Sequence, residues 1–160
     1  MRLRPFLPHR ILVRMARRML SLQRKSSDMP TLFSRIVSGE LPSYKIAEDD
    51  RFFAFLDISP LRPGHTLVVP KTEVDRFFDM PSEHLNGILS FAKPIVLAIE
   101  RSFPCQRCGI SVIGLEVPHA HLHLVPIDSA DDLNFTRPKM RLSESEMAEA
   151  RDRILSNLRP

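Results

Sequence analysis

The sequence predicts an α+β fold built on an antiparallel sheet. Three observations lead there. Short runs rich in aromatic and β-branched residues fall next to one another in the chain. One long run repeats its apolar residues at helical spacing. The strand–helix–strand alternation that a parallel sheet demands does not recur. At 160 residues the chain is long enough for one domain with a substantial core. Its 43% hydrophobic and 26% charged residues are ordinary for such a domain. No run approaches the roughly 20 apolar residues of a membrane span.

The elements follow in order. TLFSRIVS (31–38) places Leu32, Phe33, Ile36 and Val37 on one helical face, and Gly39 supplies a stop. FFAFLDI (52–58) and HTLVVP (65–70) read as strands, with SPLRPG as the turn between them. Ser82 is the expected cap of the main helix, whose apolar positions are Leu85, Ile88, Leu89, Ala92, Ile95, Val96 and Ile99. Pro94 is expected to kink or break it. GISVIG (109–114) and HAHLHLVP (119–126) read as two further strands, and residues 127–141 as loop. Ser143 and Glu146 form a capping box for a final helix ending near Leu158.

The net charge of +4 is unevenly spread. Residues 1–28 hold eight Lys or Arg against one Asp, a balance of +7, which leaves −3 on the remainder. The basic character therefore does not mark the folded domain as a nucleic-acid surface. Within that leader Ile11, Leu12, Met15, Met19 and Leu22 recur at helical spacing among arginines. Three readings stand: a mitochondrial transit peptide, a start that truly lies at Met29, or a surface arm. The expected location is cytoplasmic, or mitochondrial if the leader is a transit peptide. Cys105 and Cys108 are too few and too close for a disulfide framework, and they have no second ligand pair at zinc spacing. They read as loop residues of a reducing compartment.

The chemistry concentrates in one place. Three of the six histidines fall in five residues: His119, His121 and His123. On a strand, alternation sends these to one face and Ala120, Leu122 and Leu124 to the core. Packing does not call for a row of imidazoles. Near-neutral pKa values let one ring attack while another handles a proton. Spacing alone leaves two other readings open. One is a solvated strand face. The other is a metal site, since His-x-His on a strand is a common ligand pair that Glu116 or His65 can complete.

The segment EVPHAHLHLVP resembles the His-φ-His-φ-His-φ-φ signature of the histidine triad (HIT) superfamily, where φ is apolar. LFSRIVSGELPSYKIAEDDRFFAFLDISPLRPGHTLVVPK is similar to the amino-terminal half of its Hint-like, or protein kinase C inhibitor-like, branch. Together the two cover about residues 31–127. The resemblance implies a five-stranded antiparallel sheet with one main helix, a short N-terminal helix and a C-terminal helix. It divides the chain into the leader 1–28, a HIT domain over 29–138, and 139–160 carrying the last helix.

By position, the resemblance makes His121 the nucleophile at the α-phosphorus of a nucleotide and puts His123 beside phosphate and leaving group. His119 and His65 join a relay that orients the nucleophile. Asp57 receives the ribose hydroxyls. Phe33, Ile36, Phe55 and Ile58 wall the base pocket, and Glu116 joins them from the segment before the triad. The implied reaction is hydrolysis of a nucleoside phosphoramidate or adenylylated compound, through a nucleotidyl-histidine, to a nucleoside monophosphate. It implies no metal and no other cofactor, a purine nucleotide as ligand, a homodimer with the two sheets joined, and no specific nucleic-acid partner. Rival expectations are a nucleotide-binding protein of low activity and a dinucleoside polyphosphate hydrolase.

The chain also departs from the family pattern. Family members often bind structural zinc through a Cys-x-x-Cys near the start, where this chain has Thr31 and Ser34. A Gln commonly precedes the triad where Leu115 stands, and an Asn where Cys108 stands. The nucleophile and its relay are retained, while the donors expected around phosphate are altered.

Overall fold

The computed structural model describes residues 29–158, so the basic leader expected at 1–28 lies outside the described residues. Helix α1 (Leu32–Val37) leads to strands β1 (Lys45–Glu48), β2 (Phe52–Leu56) and β3 (Thr66–Pro70). Helix α2 (Ser82–Ser102), β4 (Arg107–Ser111), β5 (Leu122–Ile127) and α3 (Glu144–Leu158) complete the order. Short 3₁₀ turns sit at Phe77–Asp79 and Ala130–Leu133. The five strands form one antiparallel sheet in the order β1-β2-β3-β5-β4.

Register explains how one sheet carries two different faces. Ala54 pairs with Val68, Val68 with Leu122, and Ile110 with Leu124. Ala54, Val68, Leu122 and Leu124 turn to the helices, where α2 buries Ile88, Ala92, Ile95, Ala98 and Ile99 and α3 buries Met147, Ala150 and Ile154. Phe55 pairs with Leu67, and Leu67 with His123. These turn to the other side, where Phe33, Phe53, Phe55, Leu67 and Val69 make a smaller apolar cluster. Side chains alternate across a strand, so a single set of strands serves a closed core and a functional face.

Several expectations shift in detail. The strand expected at 109–114 begins two residues earlier and ends at Ser111. The one expected at 119–126 begins at Leu122, so His119 and His121 lie just ahead of it. Ser82 is the first residue of α2 rather than its cap: Pro81 is the N-cap, and its carbonyl accepts from the His84 and Leu85 N–H groups. Pro94 does not break the helix, which runs unbroken through it. Pro94 and Ser90 are both on the exposed face, where the carbonyl that Pro94 leaves without a donor can turn to water. Leu89 is also exposed, not core. The capping box forms as expected: the Ser143 N–H donates to Glu146 at 2.7 Å and the Glu146 N–H to Ser143 Oγ at 3.3 Å. No described helix is long and apolar enough to cross a membrane.

Candidate active site

Each functional side chain sits at the end of an element. Asp57 follows β2 and His65 precedes β3. Gly64 permits the turn between them, with φ of +89° and a Cβ position only 2.4 Å from the Phe103 ring. Any side chain there meets both a backbone penalty and a clash. His119 and His121 lead into β5, which carries His123, and their rings meet Phe33 edge-to-face. The ring centroids of His119 and His121 lie 5.9 and 5.2 Å from Phe33, and His121 lies 4.8 Å from His123.

Hydrogen bonds assign the ring protons. The Leu61 N–H donates to His65 Nδ1 at 3.1 Å. A neutral His65 therefore carries its proton on Nε2 and donates it to His123 Nδ1 at 3.0 Å. That leaves the His123 proton on Nε2. The His119 carbonyl can only accept, so His121 Nδ1 donates to it at 2.7 Å. His121 Nε2 then keeps a free lone pair. The Pro70 carbonyl likewise fixes the His119 proton on Nε2 at 2.8 Å, and His119 Nδ1 accepts from the Thr31 hydroxyl at 2.8 Å.

At His65, His119 and His123 the electrostatics agree with neutral rings. Burial, then the charge of Lys139 and the His121 ring, pushes His65 down to about 3. Burial, with His65 and His121 beside it, does the same to His123. Burial also lowers His119, against the Pro70 carbonyl and Glu73. His65 Nδ1 lies 3.6 Å from Asp57 Oδ2, but a neutral ring whose Nδ1 already accepts a proton makes no ion pair there. Asp57 Oδ1 accepts from the Ser59 N–H at 2.8 Å. Burial raises the Asp57 carboxyl above its ordinary range, against the pull of the Ser59 bond and Lys139.

Two cavities flank His121 and His123. One, of about 360 Å³, is walled by Phe33, Ile36, Phe55, Ile58 and Leu67, with Asp57 and Glu116 at its edge. All the residues expected around a nucleoside are therefore together. The second, of about 430 Å³, shares Asp57, Glu116 and both histidines and adds Leu115, Phe135, Thr136 and Lys139. Sequence reasoning left residues 127–141 as loop and missed these last three. The Phe135 ring lies 4.7 Å from His123, and the Lys139 ammonium 4.5 Å from the Phe135 ring. Arg62 holds this segment in place by bonding Asp128 and Asp132, and the Met140 N–H donates to the Pro60 carbonyl. Nothing local in the sequence signals that a lysine sixteen residues after the triad folds back to the cavity beside it.

The departures fall in different places. Leu115 lines the second cavity and is 87% exposed. Cys108 turns to the helix side of the sheet, packed against the main core, so it does not occupy a position beside phosphate. Burial and then Glu100 push its thiol up to about 12, which makes it inert as a thiolate at neutral pH. Across β4 from His123 stands Ser111.

Among the described residues, the side chains that gather as a candidate metal cluster are Asp57, His65 and His123, not the histidine row as a whole. Asp57, His65 and His123 bring ligand atoms within 4.8 Å of one another. Both nitrogens of His65 are committed, however, one to Leu61 and one to His123. The positions that the resemblance matches to zinc cysteines fit no better. Thr31 and Ser34 offer neutral hydroxyls, and the Thr31 hydroxyl donates to the one nearby imidazole nitrogen.

The HIT domain family model matches residues 38–130. A HIT-like protein of Borreliella burgdorferi is 36% identical over 135 residues, covering 79% of this chain and 97% of that one. An adenosine 5′-monophosphoramidase of Saccharomyces cerevisiae is 33% identical over 100 residues, covering 62% of this chain and 63% of that one. Among solved structures, a zinc-bound histidine triad family protein from Mycobacterium smegmatis superposes with a TM-score of 0.70 at 32% identity, covering 82% and 95% of the two chains. With the model match spanning more than half of its length, the chain belongs to the HIT domain family.

Proposed function

We propose that the chain hydrolyses nucleoside 5′-phosphoramidates or related adenylylated compounds, with His121 as nucleophile. The observation that carries this reading is the proton assignment. In its neutral form the His121 ring presents a free Nε2 lone pair, and the His123 ring an Nε2–H, beside one cavity. The apolar pocket takes a purine base, with Asp57 at its rim to accept ribose hydroxyls.

The His121 Nε2 pair forms a bond to the α-phosphorus as the phosphorus–nitrogen bond breaks. The leaving nitrogen departs with that bond's electron pair and a proton from solvent, while His123 Nε2–H hydrogen-bonds to it. Water then attacks phosphorus and the nitrogen–phosphorus bond to His121 breaks. Its electron pair returns to Nε2, and the surplus proton of the water goes back to solvent. One hard displacement becomes two easier ones. Lys139, held over Phe135 in the second cavity, supplies positive charge toward the phosphate where Leu115 supplies no donor.

The homodimer expected from the resemblance forms, in this reading, along β4. That strand is one of the sheet's two edges, and Ile110, Val112 and Ile113 on and beyond it are exposed apolar residues. Exposed Leu115 in the second cavity favours one rival, a nucleotide-binding protein of low activity.

Steady-state hydrolysis of adenosine 5′-phosphoramidate by the full chain separates these. Turnover that survives a chelator and is abolished in His121→Ala supports the enzyme. AMP binding without turnover in either protein supports the binding module and overturns the proposal.

A further inference from the structure

The nucleophile is oriented by a carbonyl, that of His119, and the ring on the same residue is fully buried. What holds that ring is a chain of bonds reaching to the surface. Glu73, on the segment after β3, accepts from the Thr31 N–H at 3.1 Å and from the Ser34 hydroxyl, both at the same oxygen. Thr31 is the N-cap of α1, and its hydroxyl accepts from the Ser34 N–H at 3.1 Å while donating to His119 Nδ1 at 2.8 Å. One residue on, the Ala120 N–H donates to the Val74 carbonyl at 2.6 Å. Residues 73 and 74 thus clamp the stretch before the nucleophile twice, once through the backbone and once through the carboxylate.

We propose that Glu73 is a positioning residue for His121, acting through Thr31 and His119 in a metal-free latch. Its carboxylate locks the first turn of α1. That lock aims the Thr31 hydroxyl at His119 Nδ1, which holds the His119 ring as the Nε2–H tautomer against Pro70. A ring so fixed leaves its own carbonyl one direction in which to point, toward the His121 Nδ1–H. The Ser34 and Thr31 bonds keep the Glu73 carboxyl below its ordinary range, so the latch stays charged at neutral pH. Zinc ligation by these residues disagrees with this bonding, because His119 Nδ1 is occupied and neither hydroxyl is a thiolate. Hydrogen bonds at this corner stand where structural zinc is bound in family members that carry the two cysteines. Glu73 lines neither cavity beside His121 and is exposed, so its removal opens no core.

The rate arm of the test rests on the proposed phosphoramidate hydrolysis; the spectroscopic arm does not. In the full chain, Glu73→Ala is expected to lower kcat about tenfold with KM within twofold. Glu73→Gln, which keeps an acceptor oxygen for both donors, is expected to restore kcat to within threefold. Long-range proton–nitrogen spectra of the histidine rings should show the His119 Nδ1 signal at a hydrogen-bonded acceptor position in the wild type and in Glu73→Gln, and shifted toward that of a free unprotonated nitrogen in Glu73→Ala. Ser34→Ala cuts one of the two bonds to the carboxylate and should give intermediate values in both. If the wild type shows no turnover, the Nδ1 signal alone decides. An unshifted His119 Nδ1 signal in Glu73→Ala overturns the latch, as does a kcat within twofold of wild type. Should Glu73→Ala fail to fold, a Ser34→Ala protein that matches the wild type in both readings overturns it.

Discussion

The two faces of the sheet are made by the same strands and differ in almost every other respect. Toward the helices, Phe52, Ala54, Leu56, Val68, Leu122 and Leu124 meet α2 and α3 in a continuous aliphatic core. Toward the site, Phe33, Phe53, Phe55, Leu67 and Val69 form a smaller cluster beside four buried histidines. Burying an aliphatic group requires only volume and packing. Burying an imidazole costs free energy for each nitrogen left without a partner; both nitrogens of His65 and His119 are paired, whereas His84 on the helix face leaves its Nδ1 unpaired. Hence the helix face tolerates exchange among aliphatics, while the site face is specified bond by bond. Stability resides mainly on one side and chemistry on the other.

The largest expected effect tests the closed face. Ile99→Ala deletes a fully buried side chain of α2 and should cost about 2–5 kcal/mol of stability. Its kcat at low temperature should stay within twofold of wild type. A parallel loss of kcat in still-folded protein means the faces are not independent. Gly64→Ala sharpens the division from the opposite direction. It joins both faces, since its Cβ would strike Phe103 on the core side while His65 is its neighbour. Melting temperature and kcat should fall together, with a stability loss of roughly 1–3 kcal/mol. A normal melt with normal kcat breaks the role given to this turn.

Lys139→Met should lower kcat/KM for a phosphoramidate by about tenfold, on the scale of one lost charge contact at the phosphate. The melting temperature should hold, because Lys139 is only partly buried and packs on Phe135. The smallest effect concerns pH. His65 and His123 titrate well below an unfolded histidine near 6.5 because burial disfavours their charged forms. The unfolded chain therefore binds more protons between the two values, so stability falls as pH drops below about 6.5 and is flat above it. The melting temperature should fall between pH 7 and pH 5 and change little from pH 7 to 8. A melting temperature that rises on acidification contradicts neutral, buried rings.

Much of this was legible in the sequence because it is periodic. The helical spacing of Ile88, Ile95 and Ile99, the box of Ser143 and Glu146, and the alternation of histidines with Ala120, Leu122 and Leu124 all state which side is buried. Strand β1 was not legible from pattern. At four residues, with a register shift between Lys45 and Ala47, it has no clean alternation, and only the resemblance supplied a fifth strand. The strand ends shifted because His119 and Ala120 are held by Pro70, Thr31 and Val74 contacts rather than by a ladder. The relay is also finer than position suggested. His65 serves His123, and His119 serves His121 through its backbone, not its ring. Lys139, Phe135 and Glu73 escaped notice because their roles arise from long-range folding with no local signature. Cys108 was matched to a phosphate-side position that the strand turns to the opposite face.

The claim on which the rest depends is that His121 Nε2 is the nucleophile. Rapid quenching of the full chain with an adenosine 5′-phosphoramidate, followed by peptide mass analysis under basic conditions, addresses it directly. A nucleotidyl group should appear on the peptide containing His119, His121 and His123 within the first turnover. It should persist with a chelator present and be absent in His121→Ala. Turnover without any such adduct, or an adduct that survives in His121→Ala, would contradict it.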